Sequence, residues 1–305
     1  MNMNVNPKIA LSIPNASKPG RYFSLRLKEG IMNEPSEYAF SGKILAVSDI
    51  EGNFQAFCKL LTRNRIINKY FEWIFEDGHL VINGDCFDRG DQVTECLWLI
   101  YALEERAIKE GGHVHFILGN HEIMNLNGDW RYIHPKYAEQ TKSRKPPAAI
   151  YDGNGELWRW LCTKNIIEKI GDILFVHGGI SKELLKLNLT IKDINFKSRP
   201  FYAHANQQFV DPVLNIVFNS DQSPFWYRGY YQDTVTEEQI DDALRYFGVK
   251  TIVTGHTTID RITSFFNGKV INIDTDHAGG NSQALLIKND RFYRITNDGK
   301  RERIK

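Results

Sequence analysis

The sequence predicts an α/β layered fold that turns into a mixed sheet toward its C-terminal end, on three observations. Short apolar runs rich in β-branched residues recur along the chain, two helical patterns separate the first three of them, and after Thr263 the runs crowd together with only turn dipeptides between. The runs cover 43–48, 79–82, 113–118, 173–177, 251–254, 269–274 and 283–288. Each has the length of a buried strand and is too short for a helix. The patterns at 55–68 and 92–109 are long enough for right-handed β-α-β crossovers, so the front of the chain reads as a parallel sheet. Asn267-Gly268 and Asn289-Asp290 tolerate left-handed backbone and suggest antiparallel hairpins, hence a mixed sheet or two stacked sheets.

At 305 residues the chain is expected to hold an N-terminal extension, 1–40, and one catalytic domain, 41–305. The stretches near 125–154 and 184–233 are rich in aromatic, proline and polar residues without a clean period, and read as insertions overhanging a site. A hydrophobic content of 42% with 25% charged residues supports a sizeable core and excludes wholesale disorder. The 38 basic residues are balanced by 37 acidic ones with no long run of either sign, which speaks against a nucleic-acid partner. No apolar stretch approaches the roughly 20 residues of a membrane span, and the first residues lack a basic then hydrophobic leader, so no membrane is expected and the location expected is cytoplasmic. Cys58, Cys86, Cys96 and Cys162 form no CxxC pair and read as ordinary thiols.

Five polar segments directly follow or close an expected strand, at 48–53, 84–90, 119–122, 176–179 and 254–257. Ligands of open α/β sheets gather beyond the carboxyl ends of strands, so five such segments can converge. They offer carboxylates from Asp49, Glu51 and Asp85, an amide oxygen from Asn120, and imidazoles from His177 and His256. If 49 and 51 continue the strand, their side chains point the same way and can hold one ion. Asn120, His177 and His256 suit a second, with Asp85 between the two cations. Oxygen and imidazole donors without thiolate favour Mn, Fe, Zn or Mg. Glycines flank nearly every candidate ligand, as tight turns and close backbone approach require. Arg89 and Arg228 suit bidentate capture of a phosphoryl group. His121, one residue past Asn120, should point away from that ion and serve as general acid, with Asp88 accepting its other ring proton.

Through GDCFDRG, GNHE and HGG these segments resemble the calcineurin-like metallophosphoesterases, and within them the phosphoprotein phosphatase branch. The runs GNHEIMNLNGDWRY, SPFWYRGYY and GHTTI are most similar to the bacterial-type Shewanella-like phosphatases. The resemblance spans about 43–276 and implies a two-sheet β-sandwich flanked by helices, two divalent metal ions bridged by Asp85 and a hydroxide, and direct attack by that hydroxide on a phosphate monoester. The substrate class it implies is a phosphoprotein or phosphopeptide, at serine, threonine or tyrosine. Hydrolysis of nucleotides or dinucleoside polyphosphates uses the same cage and stands as the alternative. A non-catalytic metal-binding scaffold is the other, and His121 with Arg89 argues against it.

One departure stands out. The family's first motif is Asp-x-His, whereas this chain has Asp49-Ile50-Glu51. A third carboxylate lowers the net positive charge of the site by one unit. The expected results are a preference for harder ions, manganese foremost, a less acidic water and a weaker draw on phosphate. His79, His113, His115, His134 and His204 read as structural, Glu122 as a brace for its loop, and His277 as near the site without an assigned role. Arg131 and Tyr132 are explained as well by packing as by substrate contact, and Trp130, Trp226, Tyr227 and Tyr230 carry no assigned site role.

Overall fold

The computed structural model describes residues 10–14, 22–40, 42–139, 153, 155–232 and 234–305. A hairpin of β1 (Ala10–Pro14) and β2 (Tyr22–Arg26) precedes two six-stranded sheets. In one sheet β4 (Lys43–Val47), β5 (His79–Asn83) and β6 (His113–Ile117) run parallel. That sheet continues antiparallel from β4 through β12 (Gln283–Lys288), β13 (Arg291–Thr296) and β14 (Arg301–Arg303). The facing sheet has β8 (Ile173–Val176), β9 (Thr251–Thr254) and β11 (Val270–Asn272) parallel. Antiparallel β10 (Thr263–Phe265) closes one side of it, and β7 (Ile167–Ile170) with β3 (Glu37–Tyr38) the other. Both expected hairpins form, and Asn267, Asn289 and Asp290 all take left-handed backbone in their turns.

Strand alternation explains why the runs are apolar throughout. Ile44 and Ala46 of β4 join Val81, Phe175, Val253, Ile271 and Leu285 in a core between the sheets. Leu45 and Val47 point the other way, into a larger core with the helices. Of those helices, α1 (Phe54–Arg63) and α2 (Val93–Lys109) make the first two crossovers. The pattern at 55–68 overshoots α1: Arg65 turns left-handed, and Ile66 and Ile67 are buried in a chain reversal in which Ile67 bridges Trp73. Beyond β6 come α3 (Asn120–Leu126), α4 (Pro135–Glu139) and α5 (Glu156–Leu161). Much of the insertion near 125–154 lies outside the described residues.

The insertion near 184–233 is largely helical, because local caps define short helices that no long period announces. α6 (Lys182–Lys186), α7 (Ile191–Ser198) and α8 (Pro212–Asn219) start at Ser181, Thr190 and Asp211, whose side chains accept backbone N–H bonds. Short 3₁₀ turns at Arg199–His204 and Gly229–Tyr231 follow α7 and α8, and α9 (Glu237–Phe247) leads into β9. No helix among the described residues is long and apolar enough to cross a membrane.

The described residues before Gly42 include several that are built into the body. Phe23 and Leu25 enter the larger core, β3 extends the second sheet, and Glu34 pairs with buried Lys164 at 2.8 Å. Lys164 also pairs with Glu104 at 2.7 Å, and breaking such a buried group by removing one partner costs about 3–5 kcal/mol. Near the start of β5 and β6, away from the five polar segments, His79 Nδ1 lies 2.8 Å from His115 Nε2. His115 Nδ1 lies 2.8 Å from Glu168, so these histidines have structural partners as expected.

Candidate metal centre and active site

All five polar segments leave carboxyl ends of strands. β4, β5 and β6 deliver 48–53, 84–90 and 119–122, while β8 and β9 of the facing sheet deliver 177–179 and 255–257. Asp49 and Glu51 do not continue the strand, contrary to expectation. β4 ends at Val47, and the two residues hold left-handed backbone at φ 53° and 49°. Asp85, Asp88, Arg89 and His256 do the same at φ 54°, 68°, 55° and 65°. Such backbone costs of order 1–3 kcal/mol per residue and persists only where the surroundings over-determine it. Here the first two loops are laced together: Asp49 N–H donates to Gly84 O at 3.0 Å, Glu51 N–H to Asp85 O at 3.0 Å, and Gly90 N–H back to Glu51 O at 2.9 Å.

Asp85 is held from several sides. One of its oxygens accepts His121 N–H at 2.9 Å, and the other lies 3.0 Å from His177 Nε2. Glu122 braces the loop as expected, accepting N–H bonds from Gly119, Asp85 and Cys86 at 2.7, 2.8 and 2.7 Å. A Cβ at Gly119 would run into the Asp85 carboxylate and stand 2.7 Å from its backbone nitrogen, so only glycine allows this approach. Burial pushes the Glu122 carboxyl up to about 7, with Asp85 adding to it.

The donor geometry suits cations. His177 Nδ1 donates to Asn83 O at 2.8 Å, which leaves Nε2 as the binding nitrogen. Nε2 faces Asp85 at 3.0 Å and Asn120 Oδ1 at 3.1 Å. Burial works against charging this ring, but Asp85 and Asp49 outweigh it and raise its pKa to about 10. A proton on Nε2 thus satisfies the two oxygens that a cation would bind instead. Burial and His177 hold His256 down to about 3, and its buried Nε2 has no hydrogen-bond partner among the described residues. Among the described residues, Asp85, His177 and His256 form the one group of His, Cys, Asp and Glu whose ligand atoms all lie within 4.8 Å of one another.

Asp49 joins them by accepting His256 N–H at 3.2 Å. Burial pushes its carboxyl up to about 6, and it in turn helps push buried Asp274 up to about 8, after burial itself. Burial alone would raise Asp85 too, but His177 and His121 hold it well below the ordinary range. Crowded buried carboxylates, an amide oxygen and imidazoles without thiolate are a donor set that fits divalent ions. The Glu51 carboxylate, on the same loop as Asp49, pairs with Arg89.

His121 does not point away from the cluster, since successive side chains at a helix start turn by only about 100°. Its Nε2 lies 3.8 Å from Asp85, and its Nδ1 meets Asp88 at 2.6 Å as expected. Burial opposes protonation of His121, but Asp85 and Asp88 raise its pKa above the ordinary value. Asn125 Nδ2, one turn on, donates to the other Asp88 oxygen at 2.9 Å. The sequence offered a signal for this contact in the i, i+4 spacing from His121. The Asn83 carbonyl that orients His177 had none, because any residue carries a carbonyl. Arg228 reaches the His256 loop through Thr257 at 3.2 Å. Two half-exposed aromatics flank the cluster: the Tyr132 ring is 5.3 Å from His121, and the Trp226 ring is 5.5 Å from His256. His277 is buried, with the backbone of Ser48 beside its ring.

A stacked pair of mixed sheets carrying this cluster at its strand ends, with a paired imidazole and arginines beside it, defines a hydrolytic phosphoesterase. The chain belongs to the calcineurin-like phosphoesterase family, which matches residues 42–260, and membership implies divalent metal ions at the site. Shewanella-like protein phosphatase 1 of Plasmodium berghei (strain Anka) is 30% identical over 265 residues, covering 82% of this chain and 71% of that protein. Shewanella-like protein phosphatase 2 of Arabidopsis thaliana is 25% identical over 305 residues, covering 83% and 77%. The crystal structure of a cold-active protein-tyrosine phosphatase from a psychrophilic Shewanella species superimposes with a TM-score of 0.90 at 37% identity, covering 97% of this chain and 90% of that one.

Proposed function

We propose that this chain is a protein phosphatase that hydrolyses phosphate monoesters on phosphorylated side chains, tyrosine before serine or threonine, with two divalent cations, manganese foremost. Asp49, Glu51, Asp85, Asn120, His177 and His256 are the residues that would hold them. The observation carrying this reading is the meeting of Asp85, Asn120, His177 and His256 beside the His121–Asp88 pair. When bound, divalent cations there supply Lewis-acid polarisation of the phosphoryl group and a water acidic enough to attack near neutral pH.

The chain's own side chains do the rest. Arg89 and Arg228 take phosphoryl oxygens from either side. Glu51 would serve as a ligand beside Asp49, and its pairing with Arg89 restrains that guanidinium as a phosphate clamp. His121 gives a proton from Nε2 to the leaving oxygen while Asp88 holds Nδ1–H, and Asn125 keeps Asp88 in place. Tyr132 and Trp226 suit an aromatic leaving group, in keeping with the tyrosine phosphatase named among the similar structures.

Chelator-treated protein resupplied with manganese tests this reading. Turnover of phosphotyrosyl peptide and p-nitrophenyl phosphate should return with the metal and be lost in Asp85→Asn, while bis-p-nitrophenyl phosphate stays a poor substrate. Metal-replete protein that turns over neither monoester would remove the proposal, and a preference for dinucleoside polyphosphates would replace its substrate class.

A further inference from the structure

Beside the catalytic cluster runs a groove of about 800 Å³, of which the chemistry above uses only the end formed by Trp226 and Arg228. We propose that it binds the polypeptide on one side of the phosphorylated residue, in extended form; this rests on the protein phosphatase reading. Small-molecule sites span roughly 300–1,000 Å³, so a groove of this size holds far more than one phosphoryl group.

The segment 226–229 lines it and also contacts the His256 loop of the cluster. The Trp226 ring stands edge-on to His256 at 5.5 Å, and Arg228 bonds Thr257 in the same loop. From beneath, Gly178 N–H donates to Pro224 O at 2.7 Å, and a Cβ on Gly178 would stand 2.9 Å from Tyr227 N. The groove is therefore seated on the turn that follows His177, and its register to the cluster is set by backbone contact.

The lining selects among occupants. Lys182 and Arg228 are matched by Glu183 and Asp221, so the groove has no surplus of cations for a chain of further phosphates. Gln222, Gln232 and Thr234 add neutral donors and acceptors of the kind that bind main-chain N–H and C=O whatever the side chain. Balanced charge with neutral hydrogen-bonding groups fits a peptide better than a nucleotide tail.

Manganese-loaded protein assayed with p-nitrophenyl phosphate and with phosphotyrosyl peptides extended on both sides provides the test. Gln232→Trp, at an exposed position in the wall, should lower kcat/KM on the peptides about tenfold through KM and leave p-nitrophenyl phosphate within about twofold. Asp221→Arg should move preference from basic toward acidic flanking residues. A peptide to p-nitrophenyl phosphate ratio unchanged in both variants, including the case where both activities fall together, overturns the groove assignment alone. Wild-type protein inactive on both substrates overturns the phosphatase reading beneath it.

Discussion

Asp88→Asn isolates the proton that departs with the leaving group. His121 Nδ1 sits 2.6 Å from one Asp88 oxygen, and Asn125 Nδ2 donates to the other at 2.9 Å. In the variant the amide oxygen keeps Asn125, so the amide NH₂ faces His121 and requires an unprotonated Nδ1. The imidazolium loses a charge-assisted hydrogen bond of about 1.5–3 kcal/mol, which at ~1.36 kcal/mol per unit lowers its pKa by about 1–2 units. Burial already opposes the charge, and Asp85 is left as the main carboxylate supporting it. The acid works only while protonated, so activity falls as pH rises through its folded pKa, and in the variant that fall comes about 1–2 units lower. General acid catalysis contributes about 10²–10⁴, so kcat on phenyl phosphate or a phosphotyrosyl peptide should drop about 100-fold near neutral pH. p-Nitrophenyl phosphate, whose leaving group departs without a proton, should lose less than about tenfold. Equal losses on both esters, or an alkaline limb that does not move, would refute the assignment of His121.

Three further outcomes are expected. Glu51→His restores the family's motif and frees Arg89 from a half-exposed pair worth at most ~1 kcal/mol, so KM for a phosphate ester should fall about two- to fivefold and metal preference should move away from manganese; unchanged metal and pH profiles would discard the account of Glu51. Gly119→Ala pushes a methyl group into Asp85, so manganese content measured by elemental analysis should collapse, with about 1–3 kcal/mol lost in urea unfolding, and a fully loaded, active variant would contradict it. Acid should weaken the fold at its far end. Burial lowers His79 and His115 to about 3 from 6.5 and raises Glu168 to about 7 from 4.5. Between those two reference values the unfolded chain binds two protons on the histidines, the folded chain one on Glu168. Stability therefore falls by ~1.4 kcal/mol per unit as pH drops from about 6.5 to 4.5, and a flat urea midpoint there would count against it.

What was legible in the sequence follows from what leaves a pattern. Strands buried on both faces write continuous apolar runs, so the strands that deliver the candidate ligands were readable, as was the β12–β13 turn at Asn289-Asp290. β14 reads Arg-Glu-Arg on an exposed edge and β3 has two residues, so neither leaves a period. The pattern at 55–68 outruns α1 because Ile66 and Ile67 extend its apolar spacing while being buried by a chain reversal. At the site, the rule that ligands gather beyond strand ends brought Asp85, Asn120, His177 and His256 to one place. It could not show the left-handed backbone of Asp49 and Glu51, nor that Glu51 meets Arg89. The His121–Asp88 pair was readable from chemistry, whereas the direction of His121 depended on where α3 begins.

Ownership of the cluster is divided between the sheets: Asp49, Asp85 and Asn120 come from one, His177 and His256 from the other. A nascent or damaged chain with only one sheet in place holds an incomplete set of donors and has nothing with which to act on a phosphate. Competence in this molecule therefore requires both sheets to be assembled and pressed together.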